Sequence, residues 1–312
     1  MNKIFLLLIS IVFHIESAYS QVYDFEILKK LNDAEKRLLE YKDDEEVLKL
    51  KIEMLKIIND SRKKYGAKPL NLDIFACRAA NKTAKEAALG EYVGHWNLRG
   101  EKPYHRWSFW GGLDHIAENA AAEWTTGKFK ISSSTLIEKM KNAHKYFMNE
   151  KPPNDGHKQT TIDKNHNYVG IGAYLNEKQF RYYELYIDRY LEFSSYKKEA
   201  KIGESAYISA RALNPNFSIY AVIVYYEPYP VDMTKEKLNS MGAYDDFTDE
   251  TVLKIWPWEL KRIENRYVEF FIKGSKKGLY YVNIFVTDKD FEENIATTEG
   301  KIQASGLVIE FK

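Results

Sequence analysis

The stretch FMNEKPPNDGHKQTTIDKNHNYVGIG, residues 147–172, decides how the rest of the chain is read. Pro152 and Pro153 remove two backbone donors and bar helix continuation, so the helix carrying Phe147 is expected to stop by about Lys151. Asn154-Asp155-Gly156 then supplies turn chemistry, and His157 follows, where a side chain can point into a cleft. Glu150 and His157 thus bracket a turn-rich loop, and the short apolar run from Tyr168 to Gly172 reads as a buried strand behind it. His157 is a candidate metal ligand or base.

A second polar cluster lies upstream, at Gly94-His95-Trp96-Asn97 and Ile116-Ala117-Glu118-Asn119. Joined to the first it gives two histidines and two carboxylates, His95, Glu118, Glu150 and His157, on four separate segments. Imidazoles offer lone pairs to a borderline metal such as Zn²⁺, and carboxylates complete the shell or orient the imidazoles from outside it. The same four groups also suit a hydrogen-bonded brace that needs no metal.

Taken in order, these segments resemble the CAP superfamily of cysteine-rich secretory, antigen 5 and pathogenesis-related proteins, in particular its bacterial branch. The resemblance runs from about Lys51 to Phe193. It opens on Asn59-Asp60-Ser61-Arg62 with Gly66 and Leu70, and includes His95, Ala117-Glu118-Asn119, Phe147-Met148-Asn149-Glu150, and Gly156-His157 with its following strand. Phe147 stands where the family's Trp-x-x-Glu helix has Trp, and Ala117 replaces the Gly of Gly-Glu-Asn. The Glu150–His157 loop is longer than in short bacterial forms, and the chain lacks a disulfide set.

The resemblance implies an α-β-α sandwich with His95 and His157 as direct ligands of a metal, Zn²⁺ first. Glu118 and Glu150 would then hold water or a histidine nitrogen, or serve as catalytic bases if the protein is a metal-dependent hydrolase or peptidase. Trp96, Tyr104 and Asn119 join the expected cleft. The resemblance allows lipid, sterol, glycan or protein ligands.

Composition bounds the remaining readings. The chain has 312 residues, which favours two domains. Its 46 basic and 45 acidic residues nearly cancel, so no global field draws nucleic acid or an anionic membrane, and no nucleic-acid signature is present. Met1-Asn2-Lys3, the apolar Ile4 to Val12 and the small residues Ala18 and Ser20 read as a signal peptide over residues 1–20, with cleavage before Gln21. No later apolar run is long enough to span a bilayer, which points to export without a transmembrane anchor. A lone Cys77 cannot form an intramolecular bridge, and its apolar neighbours Phe75, Ala76, Ala79 and Ala80 mark it as a buried, inert thiol.

Apolar residues at helical spacing predict helices from Phe25 to Leu39, from the Asp43-Asp44 cap to Lys64, from Leu72 to Leu89, and from Leu136 to Met148. The first reads as an N-terminal segment, residues 21–50, packed on a CAP-like domain of residues 51–197, with a partner-binding coiled coil as the other reading. His95 to Trp110 is unusually aromatic, and reads either as an irregular layer over the core or as a groove wall for a ligand. His105 and His115 are nearby candidates ranked below His95, and His144 reads as a helix-face residue. Strands are expected over Tyr168 to Tyr174 and Phe180 to Phe193, with Arg181, Glu184, Asp188 and Arg189 as surface charge pairs.

The polar stretch from Ser194 to Glu204 reads as a domain boundary. Strand-like runs follow at 206–213, 217–226, 252–256, 267–272, 279–286 and 306–311, and suggest a small β-sandwich over residues 198–312, immunoglobulin-like in architecture. The fold class is therefore α+β. The C-terminal domain carries no catalytic cluster and suits adhesion, spacing or contact with a protein partner.

Overall fold

The structure, a computed structural model, describes residues 23–241, 250–291 and 295–312. The expected signal peptide and its cleavage point lie outside the described residues. The described residues form two compact units, one of those up to residue 89 with 119–186 and the other of 90–118 with those from residue 187 onward. The segment 90–118, which the sequence reading places with residues 51–197, is thus grouped with the C-terminal strands.

The helices are α1 Phe25–Ala34, α2 Glu45–Lys64, α3 Ile74–Leu89, α4 Pro103–Trp110, α5 Ser133–Asn149, α6 Gly156–Ile162 and α7 Lys235–Asn239. The first four strands are β1 Asn71–Leu72, β2 His115–Trp124, β3 Tyr168–Leu175 and β4 Gln179–Asp188, in the sheet order β1-β3-β4-β2.

Local chemistry sets these limits. Asp44 caps α2 by accepting the Val47 N–H at 2.8 Å, and Asp73 caps α3 by accepting the Ala76 N–H at 2.6 Å. α5 ends at Asn149, inside the expected limit of about Lys151, with Glu150 as its C-cap. Helix α1 is shorter than expected, ending at Ala34 rather than Leu39. The Glu35 carboxylate accepts the backbone N–H groups of Lys36 and Arg37, and Leu38 adopts a left-handed conformation with φ 48°. Buried Arg78 donates to the carbonyls of Asn32, Glu35 and Arg37, which fastens this turn and α1 onto α3.

Helix α3 lies against β3 at close range. A Cβ on Gly170 would stand 2.4 Å from Ala76, and one on Gly172 would stand 2.2 Å from the Ala80 carbonyl carbon. The Gly-x-Gly of β3 and the Ala76/Ala80 pair of α3 are therefore two halves of one backbone contact. Cys77 is buried there, its Sγ 3.3 Å from the Ile171 N–H, and burial pushes the thiol up to about 12. This matches the inert reading.

Strand β4 corrects an expectation. Arg181, Glu184 and Asp188 are buried rather than forming surface pairs, and the strand is buried along nearly all its length. It occupies an interior position in its sheet, and an interior strand covered on both faces shows no period-two alternation. The run expected over Phe180 to Phe193 also breaks at Arg189-Tyr190, where β5 Leu191–Ser195 begins.

The second unit continues with β6 Glu199–Ala200, β7 Ser205–Ala212, β8 Ser218–Glu227, β9 Thr251–Ile255, β10 Lys261–Arg262, β11 Val268–Lys273, β12 Gly278–Thr287, β13 Ile302–Gln303 and β14 Leu307–Phe311. They make two sheets, β10-β11-β7-β5 and β6-β14-β12-β8-β9, with β13 on β12. Ala206, Ile208 and Ala210 with Val268, Phe270 and Ile272 from the first sheet share one core with Val222, Val224, Val282, Ile284, Leu307 and Ile309 from the second. Every second residue points inward, the signature of paired sheets. The polar stretch expected as a boundary is itself structured: β5 reaches Ser195 and pairs with β7, and β6 pairs with β14.

The aromatic stretch is only partly irregular. Its second half is α4, started by Pro103 at the first helical position and ended by Gly111 with φ 118°. Tyr104 and Trp107 are buried, and the Trp107 indole donates to the Asp114 carbonyl at 3.0 Å. Ser108 accepts the Val308 N–H at 2.9 Å, tying α4 to β14.

Candidate functional site

The four candidate side chains form two histidine–carboxylate pairs, one in each unit. In the first unit, Glu150 at the end of α5 and His157 in the first turn of α6 are held by the loop between them. His157 Nδ1 lies 2.6 Å from Glu150 Oε1, and Glu150 Oε2 accepts the His157 backbone N–H at 3.1 Å. The Phe147 ring stacks on the imidazole with centroids 4.6 Å apart. Phe147 therefore supplies the aromatic plane at the position where the family motif has Trp.

The backbone beneath His157 is fixed by buried polar groups. The Asn119 amide donates to the His157 carbonyl at 2.9 Å and to Thr161 Oγ1 at 3.1 Å, and Thr161 donates to the same carbonyl. Fully buried Arg62 donates to the carbonyls of Lys68, Thr161, Asp163 and His166, closing the C-terminal end of α6. Asn119 is thus a buried support for His157.

In the second unit, His95 sits in the loop before α4 and Glu118 on β2. His95 Nδ1 lies 2.9 Å from Glu118 Oε1, and the Arg106 guanidinium lies 3.7 Å from Glu118 Oε2. Arg106 also donates to the carbonyls of His95 and Glu101, each at 2.7 Å. Asn97 braces the same loop, accepting from the Arg99 and Glu101 N–H groups and donating to the Glu101 carboxylate. Trp96 is half-buried beside His95, while Tyr104 is buried in α4 with its ring 5.5 Å from that of His115.

The two pairs share a chemical logic. An ionised carboxylate can only accept, so Nδ1 of each histidine carries the proton and Nε2 carries the lone pair. A histidine oriented in this way from its Nδ1 side is the arrangement that presents Nε2 to a metal. The donor chemistry of each imidazole fits Zn²⁺. Among the described residues, no group of three or more His, Cys, Asp or Glu side chains is disposed to hold a metal ion.

The other described histidines lie in separate surroundings. His115 Nδ1 lies 2.7 Å from Asp188 Oδ2. His166 is buried and stacks on Tyr186. Burial holds His105 below the ordinary imidazole range. His144, read from sequence as a helix-face residue, is buried with Nδ1 2.7 Å from Glu184 Oε1 and Nε2 3.0 Å from Ser61 Oγ.

Sequence reasoning missed Arg106, Thr161, Arg62 and the His144–Glu184 network. A signal existed for Glu184: a carboxylate set among Tyr182, Tyr183, Leu185, Tyr186 and Ile187 must be paired if that run is buried.

Residues 55–187 match the model of CAP, the cysteine-rich secretory protein family, and over these residues the chain carries a CAP domain. Among solved structures, an extracellular protein containing an SCP domain from Bacillus anthracis str. Ames is similar at 17% identity and a TM-score of 0.35. The match covers 44% of this chain and 39% of that one, so it spans under half of the Bacillus protein. An outer surface protein from Borrelia burgdorferi is similar at 17% identity and a TM-score of 0.35, over 45% of this chain and 92% of that one. No curated protein matches the chain. Among the described residues, no helix is long and apolar enough to cross a membrane.

Proposed function

We propose that this is an exported CAP-domain protein in which His95 and His157 are ligands of a divalent metal, zinc first. An extracellular ligand of lipid, glycan or protein class would lie against the aromatic segment around Trp96. The domain plan of residues 21–50, 51–197 and 198–312 belongs to the same proposal, with the C-terminal strands as the part that contacts a protein partner.

The observation that supports the metal reading is the matched setting of the two histidines, each with Nδ1 held by a glutamate carboxylate. Imidazole with water filling the remaining positions makes a weaker site than a closed four-ligand one. Calorimetry with ZnCl₂ at neutral pH tests it. The wild-type chain should bind zinc, and the folded His95→Ala/His157→Ala variant should bind none; equal binding by that variant overturns the reading.

A metal-dependent hydrolase, with Glu118 or Glu150 as base, is the second reading. It is disfavoured because both carboxylates are engaged: Glu150 takes two donors from His157, and Glu118 lies buried between His95 and Arg106. Replacing both glutamates by Gln should leave an aromatic-bound ligand in place, whereas it would abolish hydrolysis.

A further inference from the structure

A second polar constellation lies wholly within the first unit and shares none of the four residues of the candidate metal site. Ser61 stands near the end of α2, half-buried, with Oγ 3.0 Å from His144 Nε2. His144 comes from α5, and its Nδ1 lies 2.7 Å from Glu184 Oε1 on β4. Glu184 is fully buried and is held by further donors, with the Tyr182 hydroxyl 2.8 Å from Oε1 and the Tyr186 hydroxyl 2.6 Å from Oε2.

The polarity of this chain follows from its acceptor end. A carboxylate already taking two phenol protons can only accept from His144, so Nδ1 carries the proton and Nε2 accepts the Ser61 hydroxyl. A brace alone would be satisfied by any hydrogen-bonding order. Here hydroxyl, imidazole and carboxylate follow the order that lets a base remove the hydroxyl proton, and of the three residues only Ser61 is not fully buried. The helical neighbours one turn away are half-buried Ile57, buried Ile58, and exposed Lys64 and Tyr65, so apolar surface for an acyl group lies on the Ile57 side.

We propose that Ser61, His144 and Glu184 form a nucleophilic site that reacts with small carboxylic esters. Ser61 Oγ bonds to the ester carbonyl carbon while its proton passes to His144 Nε2. The carbon–oxygen bond to the alcohol then breaks, and the alcohol leaves with that proton. Water repeats the sequence on the acyl-serine, releasing the carboxylic acid and restoring the Ser61 hydroxyl. Ser61 and His144 touch the reacting atoms; Glu184 is a positioning residue that fixes the ring and its Nδ1 proton.

The test is covalent labelling of the full chain with a fluorophosphonate reagent, mapped by peptide mass spectrometry, together with p-nitrophenyl acetate turnover. The wild-type chain should carry one label, on Ser61, and Ser61→Ala should lose both the label and the turnover while keeping its circular dichroism. Glu184→Gln, which keeps the side-chain shape, should lower kcat at least about 100-fold with KM unchanged. A folded wild-type chain that takes no label, or takes it on another residue, overturns the proposal. So does turnover that survives in Ser61→Ala. If Glu184→Gln does not fold, the wild-type and Ser61→Ala comparison still decides.

Discussion

Glu150 binds His157 twice, through the ring at 2.6 Å and through the backbone N–H at 3.1 Å, so one carboxylate sets both the rotamer of the histidine and the start of the helix that carries it. Glu150→Gln keeps the shape but cannot fix the Nδ1 proton in the same way. Zinc affinity should fall about 10- to 100-fold by calorimetry, the usual effect of removing an outer partner from a ligating histidine. An unchanged affinity would detach Glu150 from any metal role.

The buried carboxylate of Glu184 gives a pH signature. Burial opposes its charge, but His144, Tyr186 and Tyr182 outweigh that and hold it below the usual glutamate range. A lowered folded value means that the stabilisation is fully present above the unfolded value of about 4.3 and is lost as pH falls through the folded value. The stability gap between wild type and Glu184→Gln, measured by urea unfolding, should therefore hold from pH 7 down to about 5 and narrow below about 4. A gap that widens toward low pH would contradict the assignment.

The close contact of β3 with α3 predicts that small substitutions are costly. Gly172→Ala places a Cβ 2.2 Å from the Ala80 carbonyl carbon, a backbone atom that cannot rotate away. Overpacking of this kind costs about 1–3 kcal/mol or more. The shift in urea midpoint reads it directly, and a neutral result would mean that the helix can lift off the strand.

Lys51 and Asp43 form a buried ion pair at 2.6 Å, with Asn81 bonded to both. Lys51→Met alone leaves the Asp43 charge without its cation and should cost about 3–5 kcal/mol. The Lys51→Met/Asp43→Asn double variant should recover much of that loss. A double-mutant cycle on urea unfolding measures the coupling, and strictly additive losses would show that the pair contributes nothing.

Much of this was legible in the sequence because it rests on local chemistry. The Pro152-Pro153 stop for α5, the Asp44 cap and the strand-like runs beyond residue 205 follow from backbone donors, caps and period-two burial, and each appears close to where those signals fall. The ordered segments around His95, Glu118, Glu150 and His157 carried the resemblance to the CAP family, and the family match over residues 55–187 agrees with it. What escaped depends on tertiary contacts. Helix α4 is aromatic on all sides and has no polar face for periodicity to register, and the charges of β4 read as exposed because burial on both faces erases alternation. Likewise, the end of α1 is set by Arg78 on another helix, which no window around Ala34 contains.

The zinc proposal rests on His95 and His157 being the ligating side chains. X-ray absorption at the zinc edge, on the zinc-loaded chain, reads the donor atoms. Imidazole nitrogen at about 2.0–2.1 Å with oxygen donors completing the shell is the predicted result. A shell without imidazole, or a sulfur shell at about 2.3 Å, would contradict ligation by His95 and His157.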